Sequence, residues 1–190
     1  MLVWIIVGVV VVVLLFLVIG AYNRLVGLDQ TADQAFADID VQLKQRHDLI
    51  PNLVETVKGY ASHERGTLEA VVQARSAATH ATTVNDQVQA ENMLTATLGR
   101  LFALSEAYPQ LRANENFMRL QADLSDIENK LAAARRFFNN AVSEFNAVRR
   151  QFPTVLFAGL VGFGSDKPFF DVGTEQRASM EAAPPKVSFS

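Results

Sequence analysis

FMRLQADLSDIENKLAAARRFFNNAVSEFNAVRRQF, residues 117–152, is the stretch that decides the fold. Within it Phe117, Leu120, Leu124, Ile127, Leu131, Ala134, Phe138, Ala141, Phe145, Val148 and Phe152 recur at alternating steps of three and four. A seven-residue repeat of this kind puts the apolar side chains on one seam of a long helix and implies left-handed, coiled-coil-like packing against partner helices. Large Leu and Phe residues mixed with Ala on that seam point to a bundle core, where large side chains face small ones. Part of the seam is also available for packing between molecules.

Working upstream, Asn114 is a good N-cap type for this helix. Tyr108-Pro109 ends the preceding one, because proline disfavours helix at the residue before it. That earlier helix starts near residue 84, where Thr83 offers a capping hydroxyl and Asp86 an acid at the positive helix end. Its inward positions are Leu94, Leu98, Leu101 and Leu104. Residues 22–79 are helical by pattern, with one stripe of Leu25, Leu28, Ala32, Ala35, Ile39 and Leu43 and another of Ile50, Val54, Val57, Ala61, Leu68 and Val71. Pro51 lies between the stripes and either separates two helices or kinks one. The expected fold class is all-α: a transmembrane helix followed by an antiparallel up-down four-helix bundle with long helices.

Downstream of Pro153 the character changes. Phe157, Gly159, Gly162, Phe163, Gly164, Pro168, Phe169 and Phe170 combine helix breakers with large apolar side chains. Exposed apolar surface on this scale needs a cover, so residues 156–170 are expected to pack on the bundle, on a partner or on a membrane. From Gly173 the chain reads as an extended, mobile end. The expected divisions are an anchor at 1–23, a bundle at 24–153 and an irregular, partly packed tail at 154–190.

The anchor is read from MLVWIIVGVVVVVLLFLVIGAYN, residues 1–23, which precedes the first side-chain charge at Arg24. A hydrocarbon core of about 30 Å is crossed by about 20 helical residues, and in lipid a helix satisfies every backbone group. Trp4, Tyr22 and Arg24 suit the two interfaces. A cleaved signal peptide is the alternative, but it begins with cations and has a shorter apolar run. Arg24 alone tips the orientation toward N-terminus outside and bundle in the cytoplasm. The absence of cysteine excludes a lipoprotein anchor, disulfides and thiolate metal sites. A net charge of -3, with Lys and Arg dispersed, argues against a nucleic-acid surface. The pairs Arg135-Arg136 and Arg149-Arg150 read as solvated helix surface.

The segment IDVQLKQRHDLIPNLVETVKGYASHE, residues 39–64, closely resembles the signature stretch of bacterial LemA family proteins. AYPQLRANENF at 107–117, IENKLAAARRFFNNAVSEFN at 127–146, QFP at 151–153 and VGFG with the later Phe169-Phe170 resemble that family as well. Where the family pattern has Tyr before Asn, this chain has Phe138-Asn139 and Phe145-Asn146. The resemblance implies a single-span anchor in the bacterial cell membrane and a four-helix bundle. It implies no reaction, although some relatives are linked to the building of specialised bacterial membranes.

No GxGxxG, phosphate-cradling GxxxxGK[ST], GxSxG or HExxH occurs in the chain. The expectation is therefore a protein that is not an enzyme, with no catalytic residues, no metal and no cofactor. The most chemically varied stretch, Asp40 to Glu64, reads first as a solvated helix face. Its second reading is a polar interaction surface, or contacts that set helix register near Pro51, with Arg46, His47 and Asp48 as first candidates. The expected partners are the lipid bilayer and either other proteins or further copies of this chain; nucleic acid is not among them. The leading functional expectation is a membrane-anchored scaffold, followed by a membrane-shaping or membrane-sensing protein and then by a ligand sensor or enzyme using residues 40–64.

Overall fold

The computed structural model describes residues 1–170, so the end expected to be extended from Gly173 lies outside the described residues. The described residues are helical and contain no strand. They form α1 (Leu2–Lys58), α2 (Arg65–His80), α3 (Val84–Ser105), a single turn α4 (Pro109–Arg112), α5 (Glu115–Arg150) and a 3-10 turn at Thr154–Leu156. Contacts divide the chain into one unit of Met1–Val41 with Leu131–Phe169 and another of Gln42–Lys130 together with Phe170. Helices α1 and α5 contribute to both.

The expected caps are present. Thr83 Oγ1 accepts from the Asp86 amide at 3.1 Å at the start of α3. Asn114 Oδ1 accepts from the Phe117 amide at 3.0 Å at the start of α5. The seam that decides the fold is buried at Phe117, Leu124, Ile127, Leu131, Phe138, Ala141, Phe145 and Val148 and half-buried at Leu120 and Ala134. Phe152 departs from it: α5 stops at Arg150, and Phe152 is 78% exposed. The helical seam, expected to include Phe152, is thus two residues shorter than its apolar repeat.

The chain breaks elsewhere than at Pro51, because α1 runs through the proline and ends at Lys58. Of the two readings at Pro51, a separation or a kink within one helix, separation is excluded, and the helical stretch 22–79 divides instead in the turn Gly59–Glu64. Glycine lowers helix propensity there by about 1 kcal/mol relative to alanine, and the chain reverses before α2. Ala61 still reaches the core, its amide bonding the Val57 carbonyl at 2.8 Å, so the apolar stripe continues through a non-helical turn.

In the unit Gln42–Lys130 one core joins Ile50, Leu53, Val54 and Val57 of α1, Leu68, Val71, Ala74 and Ala78 of α2, Leu94, Leu98 and Leu101 of α3, and Phe117 and Leu124 of α5. Phe102 and Phe117 meet edge to face at 6.2 Å. In the other unit a smaller core gathers Leu25, Phe145, Val148 and Ala158, with Leu28 and Phe163 against it. There Phe36 lies 5.5 Å from Phe138, and Arg24 faces Glu144 at 3.8 Å. Residues 2–19 of α1 are exposed throughout, and this helix is long and apolar enough to cross a membrane. Trp4 and Tyr22 are exposed on it.

The segment after α5 is held by polar contacts that the sequence reading missed. Arg149, expected to be solvated, donates from Nε to Asp166 Oδ1 at 2.9 Å and from Nη1 to the Gly164 carbonyl at 3.2 Å. Arg150 also pairs with Asp166. Asn146 matches the Lys167 backbone twice, donating to its carbonyl at 3.0 Å and accepting from its amide at 2.9 Å. Lys167 Nζ reaches Asp33 at 2.6 Å and Asp29 at 2.9 Å. Burial alone would lower the pKa of this ammonium, but hydrogen bonds and charge from Asp33 and Asp29 outweigh it and raise the pKa above its ordinary 10.5.

A raised folded-state pKa contributes stability that is complete below the unfolded value and is lost as pH rises through the folded one. The stability gap between the parent and a Lys167→Met variant is therefore expected to be constant near neutrality and to shrink above about pH 10.4. Paired unfolding titrations from neutral to strongly alkaline pH check this. A gap that closes below pH 9, roughly a unit and a half under the free lysine value, contradicts the assignment.

Candidate functional site

The inward stripe of α1 runs Ile39, Leu43, Ile50 and Val57, and the positions between Leu43 and Ile50 hold Arg46 and His47. Both are buried, at 4% and 7% exposure. Burying a cation without a partner costs far more than a core can supply, and the partner is on α3. Glu91 occupies an inward position between Val88 and Leu94 and is 1% exposed. Arg46 Nη1 donates to Glu91 Oε2 at 2.8 Å, and His47 Nε2 lies 2.6 Å from Glu91 Oε1. A carboxylate only accepts, so Nε2 carries the proton and donates. The other terminal Arg46 nitrogen, Nη2, donates to Thr95 Oγ1 at 2.8 Å and stands 3.4 Å from Oε2 of the half-exposed Glu128 on α5.

One acid thus takes two donors from adjacent residues of α1, while the arginine spans from α1 to α3 and α5. Charge-assisted bonds of this kind are directional, and a slip of one residue in α1 or α3 would leave a charge unpaired in the core. Asp48, the third candidate, is exposed on the opposite side of the helix and takes no part in the knot. The reading of this stretch as a solvated face is corrected for Arg46 and His47.

The knot has a companion at Pro51. A proline within a helix has no N–H for the carbonyl four residues earlier, and its ring crowds that carbonyl. The carbonyl in question belongs to His47. Arg75 on α2 takes it, donating from Nε at 2.7 Å. The missing helix bond is thereby replaced from another helix, and α2 is tied to the same turn of α1 that carries the knot. Leaving this carbonyl without its donor is expected to cost about 1–3 kcal/mol in an Arg75→Met variant. Pro51→Ala restores an intrahelical N–H, so Arg75→Met should cost much less in that background. A double-mutant cycle by chemical denaturation measures the difference, and equal costs in both backgrounds would refute the replacement.

Glu91 and Arg75 were absent from the sequence candidates. Glu91 was detectable as an acid on an otherwise apolar stripe, and Arg46 as a base on another. The chemistry available to the cluster follows from its enclosure: with Glu91 and Arg46 this deeply buried, no solute meets them without separation of the helices. The arrangement is suited to fixing register.

These features define an all-helical protein in which one apolar N-terminal helix continues without a break into a core locked by buried ions. The chain belongs to the LemA family, whose model matches residues 35–189. It is similar to magnetosome protein MamQ of Magnetospirillum gryphiswaldense, at 22% identity over 75% of this chain and 62% of the relative. It is also similar to protein LemA of Metamycoplasma hominis, at 23% identity over 70% of this chain and 61% of the relative. A shorter match, 30% identical over 35% of this chain and 24% of the relative, is to magnetosome protein MamQ 2 of Paramagnetospirillum magneticum. The chain therefore spans about three-fifths of the length of the first two relatives.

Proposed function

We propose that this protein is a single-pass, membrane-anchored helical scaffold, without enzymatic activity, that presents a helical bundle at the bilayer surface to envelope proteins or to further copies of itself. The observation that carries the proposal is the continuity of α1 from Leu2 to Lys58. With no loop between the apolar segment and the core that begins at Leu25 in the same unit, that core stands next to the bilayer, which suits positioning of partners. The anchor is residues 1–23, in the bacterial inner membrane, with Trp4, Tyr22 and Arg24 at its interfaces. Arg24 supports an outside N-terminus and a cytoplasmic bundle. The bundle is antiparallel and up-down: pairings that rise along α1 from Arg24 to Phe36 fall along α5 from Glu144 to Phe138. The knot keeps its register, and the heptad seam of α5 supplies coiled-coil-like packing.

Crosslinking in intact membranes, followed by affinity purification of the full-length chain and mass spectrometry, tests the scaffold. Specific co-purifying proteins or self-crosslinked species are expected. Monomer alone at native expression, with nothing above an untagged control, would remove scaffolding from consideration.

A second reading, a membrane-shaping or membrane-sensing protein, is favoured by the relatives named for the magnetosome. Remodelling of vesicles by the purified chain, measured by electron microscopy, separates it from tethering.

A further inference from the structure

The segment between Arg150 and Asp166, QFPTVLFAGLVGFGS, carries no charge. The structure sorts its side chains in two directions. Thr154 and Ala158 are buried, and Phe163 stacks edge to face on Phe145 at 5.8 Å. Phe152, Val155, Leu156 and Leu160 point away, with Leu156 69% and Leu160 88% exposed. A water-facing loop has no reason to hold four large apolar residues outward while its short ones fill the core.

The location of the segment supplies a reason. Phe152, Pro153 and Thr154 line a cleft of about 310 Å³ together with Phe16, Leu17, Gly20, Ala21 and Arg24 of α1. Phe16 precedes Arg24 by eight residues, about 12 Å along a helix, so Phe152–Thr154, where the segment begins, lie beside the last two turns of the apolar run that precede its first charge. From these positions we infer that residues 152–160 form an interfacial wedge, docked into the same bilayer leaflet that the span of α1 enters. The inference rests on the reading of residues 1–23 as that span.

The backbone fits the assignment. Irregular chain is tolerated near lipid only where its polar groups are satisfied internally. The Val155 amide bonds the Gln151 carbonyl at 2.9 Å, Leu156 bonds Pro153 at 3.1 Å, and Phe157 and Ala158 both bond Thr154, at 3.1 and 2.9 Å. Leu160 and Val161 bond Phe157 at 2.9 and 3.2 Å, and Phe163 bonds Ala158 at 2.9 Å. The segment therefore shows lipid its side chains and few free amides. Arg149, Arg150, Asp166 and Lys167 bracket it and stand where headgroups and water begin. A second copy of the chain would also cover apolar side chains, but Phe152 shares its cleft with Phe16 and Leu17 of a helix exposed throughout residues 2–19, and lipid is what covers that helix in the proposed anchor.

Because the chain has no cysteine, single cysteines can carry an environment-sensitive nitrobenzoxadiazole label. Three full-length variants, Val12→Cys in the span, Leu156→Cys in the wedge and Ser76→Cys at an exposed position of α2, are reconstituted in phosphatidylcholine–phosphatidylglycerol vesicles containing spin-labelled lipids. The side chain at position 156 points away from the core, so its replacement leaves the core intact. The expected result is several-fold stronger quenching at 156 than at 76 by shallow acyl-chain spin labels, with protection from aqueous iodide, and quenching at 12 by deep spin labels. If 12 is quenched and 156 behaves like 76, the wedge is wrong and the anchor stands. If 156 is shielded from both lipid spin labels and iodide, a protein covers it and the wedge is again wrong. If 12 itself escapes the lipid quenchers, the anchor reading fails and takes the wedge with it.

Discussion

Glu91→Ala is expected to lower the unfolding free energy by about 3–5 kcal/mol, since it leaves Arg46 and His47 buried beside an empty position. The loss comes from the partners, both under a tenth exposed, more than from the two bonds at 2.8 and 2.6 Å. Glu91→Gln keeps an acceptor and most of the volume, so it should fall between the parent and the alanine variant. A joint replacement, Arg46→Met with His47→Leu and Glu91→Leu, should recover most of the stability, because apolar groups of similar size need no partner. Guanidinium titration followed by helical circular dichroism in detergent checks all three. Equal losses for Glu91→Ala and the joint replacement would show that the site acts through packing volume and not through charge.

The second large effect is expected at Phe145, where an alanine should cost about 3–5 kcal/mol. This ring is 1% exposed and holds three things together: Leu25 of α1, Phe163 of the returning segment, and Lys167, whose Nζ lies 5.6 Å from the ring centre. Beyond global stability, the variant should therefore loosen residues 151–167 specifically. Limited proteolysis reports this, with cleavage within that segment well before cleavage in α2 or α3. Uniform acceleration across the chain would mean that Phe145 serves the core alone. Phe145→Leu, which retains most of the volume but no ring, should preserve the core and weaken the hold on Phe163.

Much of the fold was legible because local chemistry and periodicity agreed. The seam from Phe117 to Val148 is the inward face of one helix, and Thr83 and Asn114 cap helices where their side chains allow. The break at Gly59–Glu64 was not legible, because Val57, Ala61 and Leu68 keep an apolar cadence that a turn satisfies as well as a helix. Pro51 left two readings open for the converse reason: the local rule against an interior proline is overridden by a tertiary donor that the sequence does not mark. Of the site, Arg46 and His47 were singled out on chemical variety alone, and Asp48 came with them as a neighbour. Their partner lies 44 and 45 positions away, where only an acid on an apolar stripe marks it. Arg75 leaves no such mark, since its target is a backbone carbonyl with no side-chain identity. The contacts of Lys167 with Asp29 and Asp33 join charges that each look ordinary in sequence.

The bond from Arg75 to His47 also constrains the order in which descendants of this sequence can change. Arg75 is not free to drift while Pro51 remains, since its loss strands a carbonyl that the proline has already deprived of a helix donor. Once residue 51 regains an N–H, the arginine becomes dispensable. Change at 51 should therefore precede change at 75 along any surviving lineage, and chains that keep the proline should keep a side-chain donor on the facing turn of α2.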